Sequence, residues 1–112
     1  MQISNTDQQP AEACLHQLLS NNQESLSDCL SHCGPEDLVV LLAEGVEQIV
    51  LVTGSLEQAL RKASGEGRAL ALRADVQARA LETVAAQMQM ELIDEAAWVE
   101  LIRSYQHCLS WR

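Results

Sequence analysis

Four cysteines, Cys14, Cys29, Cys33 and Cys108, and three histidines, His16, His32 and His107, carry the richest chemistry in this sequence. A thiolate is a nucleophile and a soft metal ligand, and an imidazole exchanges a proton near neutral pH. Cys29, His32 and Cys33 stand closest together. One helical turn separates the two cysteines, so both can face one ion. The set still falls short of the four ligands of a structural zinc site, and His16, His107 or Cys108 contribute only if the fold brings them there. No metal and no cofactor is assigned. Cys29 as a nucleophile needs activation, and a helix interior with Glu24 and Asp28 nearby provides none; a protonated His32, three residues on, would help. Packing as a small buried hydrophobe is the plain alternative for each cysteine. Thr53-Gly54-Ser55 could cradle an anion on backbone N–H groups, but neither G-x-G-x-x-G nor G-K-S/T is present, and an ordinary turn explains it. No Ser/His/Asp order, paired-carboxylate spacing or Gly-rich loop supports a free-standing hydrolase or kinase. Trp111, one residue from the end, reads as an interface anchor.

The elements that must position these residues follow from patterning. Cys14–Leu19 is a short apolar run and reads as a first strand, and Ser20-Asn21-Asn22 reads as a turn and helix cap. Leu26, Cys29, Leu30 and Cys33 fall on one face of a helix over Gln23–Cys33, which Gly34-Pro35 stops. Asp37–Ala43 is continuously apolar, as in a strand covered on both faces. Val46–Val52 is ambiguous and by propensity contains another strand. Ser55 with Gln58 makes a capping-box pattern for a helix carrying Leu56, Ala59, Leu60 and Ala63. Arg68–Arg73 alternates as a strand does, Asp75 can cap a helix through Val76, Ala80, Leu81 and Val84, and Met90–Ile93 is a short strand. Asp94 caps a last helix with Trp98, Leu101, Ile102 and Tyr105 on one face. Strand alternating with helix implies an α/β fold: one small domain over 13–112, with a mostly parallel four- to five-stranded sheet and helices on both faces. Residues 1–12 are polar and read as a mobile tail.

Composition limits the function classes. A chain of 112 residues suits one domain, and 47% hydrophobic residues exclude disorder of the whole. Seven Lys and Arg against sixteen Asp and Glu, a net charge of -9, argue against direct nucleic-acid binding, although an acidic subunit can sit beside a basic partner. No run approaches a membrane span, and no basic stretch followed by an apolar core opens the chain. The expectation is a cytoplasmic protein with free thiols.

Taken in order, these residues resemble the DsrH/TusB family of small sulfur-relay subunits. Leu15-His16 with Ser20 resembles the family's opening Leu-His…Ser strand and turn. Ser25-Leu26-Ser27-Asp28-Cys29-Leu30, Leu38–Leu42 and Glu44-Gly45-Val46 resemble its first helix, second strand and acidic-Gly-Val turn. Leu70-Ala71-Leu72 with Asp75, Ala78, Arg79 and Leu81 resembles its strand followed by Asp-x-x-Ala-Arg-x-Leu. Ile93-Asp94, Trp98-Val99-x-Leu101 and Ser110-Trp111 resemble its C-terminal end. Three positions depart from the pattern: Glu47 replaces the usual aromatic after Gly-Val, Ala80 stands where Gly is common, and Val46–Val52 looks more strand-like than the family's short helical turn.

The resemblance implies a small α/β sandwich that works with homologous DsrE/TusD-like and DsrF/TusC-like subunits in a heterohexamer. Such a complex passes persulfide sulfur between cysteines to a downstream acceptor protein. One branch leads to 2-thiolation of the wobble uridine of tRNA, giving 2-thiouridine, and the other to dissimilatory sulfur oxidation. Cys29 falls where some members carry a cysteine in the first helix. It is the residue carried over as persulfide carrier; an architectural subunit is the alternative.

Overall fold

Short apolar runs that alternate with helical segments have one simple arrangement, a parallel sheet in which each crossover helix packs back on the strands. The computed structural model describes residues 12–112 and adopts it. Strands β1 (Cys14–Leu18), β2 (Leu38–Leu41), β3 (Ala69–Leu72), β4 (Glu91–Ile93) and β5 (His107–Trp111) form one sheet in the order β4-β3-β2-β1-β5, and every neighbouring pair is parallel. Between them run α1 (Gln23–His32), a 3-10 turn (Ala43–Glu47) leading into α2 (Gln48–Leu51), α3 (Gly54–Gly65), α4 (Arg73–Ala78), α5 (Glu82–Gln87) and α6 (Glu95–Ser104). The expected α/β domain is therefore present, and its sheet is parallel throughout. The tail expected over residues 1–12 lies, Glu12 apart, outside the described residues.

The two faces of the sheet are covered unequally. Leu18, Val39, Leu41, Ala69 and Ala71 meet Leu26, Cys29, Val46, Ile49, Leu60, Ala63, Val76 and Ala85, so α1 to α5 share one side. Leu15, Val40, Leu42, Leu70, Leu72 and Ile93 meet Tyr105 and the partly buried Ala97, Trp98 and Leu101, so α6 covers the other. Burial of all four residues of β3 follows from this double cover. Gly45 sits where a Cβ would run into the Leu18 carbonyl, which lets the turn after β2 press against the end of β1.

Several local expectations are corrected. Of Val46–Val52, expected to contain a strand, residues 46–51 are helical and Val52 is the extended residue that ends the helix. Val46 and Ile49 are buried on its inner side while Val50 and Leu51 are exposed, a helical division of apolar residues that strand propensity missed. The capping box at Ser55 does not form. Gly54, at φ +66°, turns the chain so that α3 starts two residues earlier, with Thr53 at its N-cap, and Ser55 lies inside it. Asp75 also lies inside a helix, and its carboxylate accepts from the Ala43 N–H (2.7 Å) instead of capping. The single helix expected through Val76 and Val84 is broken into α4 and α5 at Ala80, which takes the left-handed conformation at φ +54°. Residues 107–111, read only as the end of the chain, form β5 along the outer edge of β1. Asn22 and Asp94 cap α1 and α6 as expected, accepting from Glu24 and Ala97 N–H.

Candidate functional site: a buried thiol pair beside a His–Asp–Trp chain

Successive strand residues point to opposite faces, so Cys14, His16 and Leu18 look toward α1 while Leu15 and Gln17 look toward α6. The alternation is seen in Gln17, whose side chain accepts from the Trp98 indole N–H (3.0 Å) on the α6 side. On the α1 side, Cys29 comes down from the inner face of the helix, fully buried at 0% exposure. Cys33 caps the same helix in extended conformation (φ -77°, ψ 128°), where Gly34-Pro35 ends it, and is partly exposed. One ring nitrogen of His16 and the two sulfurs of Cys29 and Cys33 lie within 4.8 Å of one another. The cluster lies toward the amino ends of β1 and β2. Open parallel sheets place ligands at the opposite, carboxyl ends.

Asp37 anchors this arrangement. It is the last residue before β2, 9% exposed, and its carboxylate accepts from the Cys14 N–H (2.9 Å), the Gly34 N–H (3.1 Å) and His16 Nε2 (2.8 Å). Burial pushes its pKa up, but the hydrogen bonds from His16 and from the two backbone N–H groups prevail and hold it below the usual carboxylate range. On the other side of the ring, the Trp111 indole N–H donates to His16 Nδ1 (3.0 Å), with the two rings stacked at 6.0 Å. An indole nitrogen only donates. Neutral His16 therefore carries its proton on Nε2, facing Asp37, and a second proton on Nδ1 displaces Trp111. Trp111, expected as an anchor for partners, here packs against the core of its own chain, because β5 pairs with β1 and sets Trp111 beside Leu18.

The two thiols are driven in opposite directions. Cys29 is pushed up by its hydrogen bond with Cys33 and by burial, so it keeps its proton. Cys33 is pulled well below the ordinary thiol range by its hydrogen bond with Cys29 and by His16, against the opposing effect of its own burial. As a thiol, Cys33 donates to the Cys29 carbonyl (3.3 Å). The C-terminal end of α1 disfavours an anion by about 0.5 kcal/mol. Against it stand the Cys29 thiol and the His16 ring, both within 4.8 Å of the Cys33 sulfur. His16 is raised by Cys33 and by Asp37, against burial.

His32 does not join the pair. It is exposed, its Nδ1 donates to the Asp28 carbonyl (2.8 Å), and its ring rests on Trp111 at 5.3 Å. Cys108 is exposed on β5 and Cys14 partly exposed on β1, and the thiols of both are pushed up, chiefly by desolvation. As metal donors, His16, Cys29 and Cys33 make one triad and Cys14, His16 and Asp37 another. Each triad needs His16, whose two nitrogens are already held by Asp37 and Trp111, and neither reaches the four ligands of a structural zinc site. Sequence reasoning found Cys29 and missed Cys33, His16 and Asp37 as a unit. The legible signal was a polar His in an apolar strand beside an Asp opening a buried one, since each requires a partner.

At Glu47, where an aromatic residue was expected, the carboxylate accepts from Arg79 (3.0 Å) and from Asn21 (3.0 Å), tying the 3-10 turn to the α4 end and to the loop after β1. A family model described as "DsrH like protein" matches residues 20–108, a stretch that includes Cys29, Cys33 and Asp37 and stops short of His16 and Trp111 at either end. No curated protein matches the chain.

Proposed function

The chain belongs to the DsrH-like family, and from that premise we propose that this sulfur-relay subunit passes persulfide sulfur toward 2-thiolation of the tRNA wobble uridine. Sulfur would travel through the thiol pair at the end of α1, with Cys29 the position to which the family resemblance points. The observation that carries this reading is the convergence of two thiols and an imidazole within 4.8 Å. A relay needs a thiol that ionises and a neighbour that manages its proton. The partners proposed are homologous DsrE/TusD-like and DsrF/TusC-like subunits in a heterohexamer and a downstream acceptor protein, in the cytoplasm, where thiols stay reduced. The four free cysteines accord with that compartment. Among the described residues, no helix is long and apolar enough to cross a membrane.

The full burial of Cys29 favours a second reading, in which this subunit is architectural and Cys29 only packs. Native mass spectrometry of the tagged chain, isolated from its host without reductant, separates the two. The relay reading expects two similar-sized partners and an extra sulfur atom on the peptide Ser25–Glu36, which holds both Cys29 and Cys33. Sulfur on a partner's cysteine with that peptide bare would make this chain architectural. The sulfur-oxidation branch would appear as an assembled, loaded complex whose loss leaves tRNA thiolation unchanged.

A further inference from the structure

Resting on the relay reading for the identity of the sulfur donor, we infer that Cys33 is the nucleophile that takes up sulfane sulfur, with the buried Cys29 thiol as its hydrogen-bond donor and His16 as its proton acceptor. Position is the first argument. Cys29 is fully buried on the inner face of α1, whereas Cys33 stands at the helix end, partly exposed, so an incoming persulfide meets Cys33 first. Complementarity is the second. Of two adjacent thiols only one can ionise readily, and the other then stabilises it by donating its S–H. Burial among Leu26, Leu18 and Val39 keeps the proton on Cys29. The third argument is the chain Trp111–His16–Asp37. Asp37 holds the Nε2 proton, which leaves Nδ1 as the one basic nitrogen of the ring, and the Trp111 indole covers it. Proton uptake from Cys33 therefore goes to Nδ1 and moves Trp111 aside.

The step balances without an outside oxidant. The proton of Cys33 passes to His16 Nδ1. The Cys33 thiolate attacks the outer sulfur of a donor persulfide R–S–SH, a new S–S bond forms, and the donor's S–S bond breaks with its electron pair on R–S⁻. Cys33–S–SH remains, and R–S⁻ takes the proton back from His16 to leave as R–SH. The groups facing Cys33 are Cys29 from α1, Cys14 and His16 from β1, and Asp37 from the turn before β2, so its ionisation is read against all four.

The test alkylates the reduced full chain with iodoacetamide from pH 5 to 9, follows each cysteine by peptide mass spectrometry, and then loads the chain with glutathione persulfide. The rate at Cys33 is expected to be nearly level from pH 6 to 8, while Cys14 and Cys108 accelerate about tenfold per pH unit. Cys29→Ala should move the Cys33 profile to higher pH, and Trp111→Phe, by freeing Nδ1, to lower pH. Loading should place one extra sulfur on Cys33, persist in Cys29→Ala and vanish in Cys33→Ala. A Cys33 rate that climbs tenfold per unit through pH 8, or sulfur that sits on Cys29 in both wild type and Cys33→Ala, overturns the assignment to Cys33 and leaves the relay reading standing. A level Cys33 profile with no sulfur taken up at any cysteine, in the chain or in its complex, overturns the relay reading and the uptake step with it.

Discussion

Asp37 accepts hydrogen bonds from Cys14 and His16, more than twenty residues away, and from nearby Gly34, and its replacement tests the site at the scale of one residue. Asp37→Asn keeps the shape and loses the charge, so the buried His16 is left with a weaker acceptor. The expected cost is about 2 kcal/mol, that of a lost charge-assisted hydrogen bond. The pH dependence has a definite sign. Asp37 is held below its ordinary value, so its contribution is complete above about pH 4 and is lost as pH falls through the folded value. His16 is held above its ordinary value, first by Cys33 and then by Asp37, so its contribution is complete below about pH 6.5 and is lost as pH rises through the folded value. The pair therefore stabilises the fold most between about pH 4 and 6.5. Urea unfolding across pH 3–8 should show wild type losing stability at both ends of that window and Asp37→Asn showing a lower profile without the acid-side loss, while the loss that Cys33 imposes through His16 at the other end persists. Equal profiles would mean that the pair contributes nothing to the fold.

Among the elements, the break between α4 and α5 depends on a single alanine. Ala80 takes φ +54°, a conformation that costs an L-residue about 1 kcal/mol and glycine nothing. The departure noticed in the sequence, alanine where the family commonly has glycine, thus falls on the residue that must be left-handed. Ala80→Gly is expected to raise stability by about 1 kcal/mol, less the entropy that glycine loses on folding, and to leave the thiol centre unchanged. Thermal unfolding with parallel alkylation of Cys33 checks both halves. A fall in stability would show that the chain already relieves the strain elsewhere. The helical course of residues 43–51 is likewise supported by contacts with a segment remote in sequence. Gln48, fully buried, donates to the carbonyls of Ser20 (3.1 Å) and Asn22 (2.9 Å), and so joins α2 to the start of α1.

At the scale of the whole molecule, the C-terminus closes the site that the first strand opens. The Leu19 N–H donates to the Trp111 carbonyl (2.9 Å), the Ser25 hydroxyl donates to the Arg112 carbonyl (3.0 Å), and the Trp111 indole donates to His16. Removing Trp111-Arg112 withdraws all three contacts and the apolar cover over His16. The isolated chain should lose about 2–3 kcal/mol, somewhat less than for a fully buried Trp, and should melt several degrees lower. Native mass spectrometry then asks whether assembly weakens beyond what this lost stability explains. A truncated chain with unchanged melting would show that β5 holds without its last residues. Association through an interface anchored by Trp111 would instead appear as normal melting with lost assembly.

How much of this was legible beforehand divides along the range of the interactions. Local patterning was enough for the alternation of strands and helices, the inner face of α1 with Cys29 on it, the stop at Gly34-Pro35, the caps at Asn22 and Asp94 and the parallel α/β architecture. Each of these depends on residues within a turn or two of one another, where propensity, capping and periodicity act. Val46–Val52 and the break at Ala80 differ from the sequence expectation because contacts with distant segments, Ser20, Asn22 and the sheet, outweigh short-range preference. The site itself was decided by tertiary structure. Cys33 and Cys29 look alike in sequence, and only the packing of α1 on β1 separates a buried, protonated thiol from a partly exposed one. His16 and Asp37 are 21 residues apart and His16 and Trp111 are 95 apart, and the sheet register brings them to hydrogen-bonding distance. Thiol ionisation depends on which donors surround the sulfur in three dimensions. Composition and periodicity specify the elements; the register of five parallel strands specifies those neighbours.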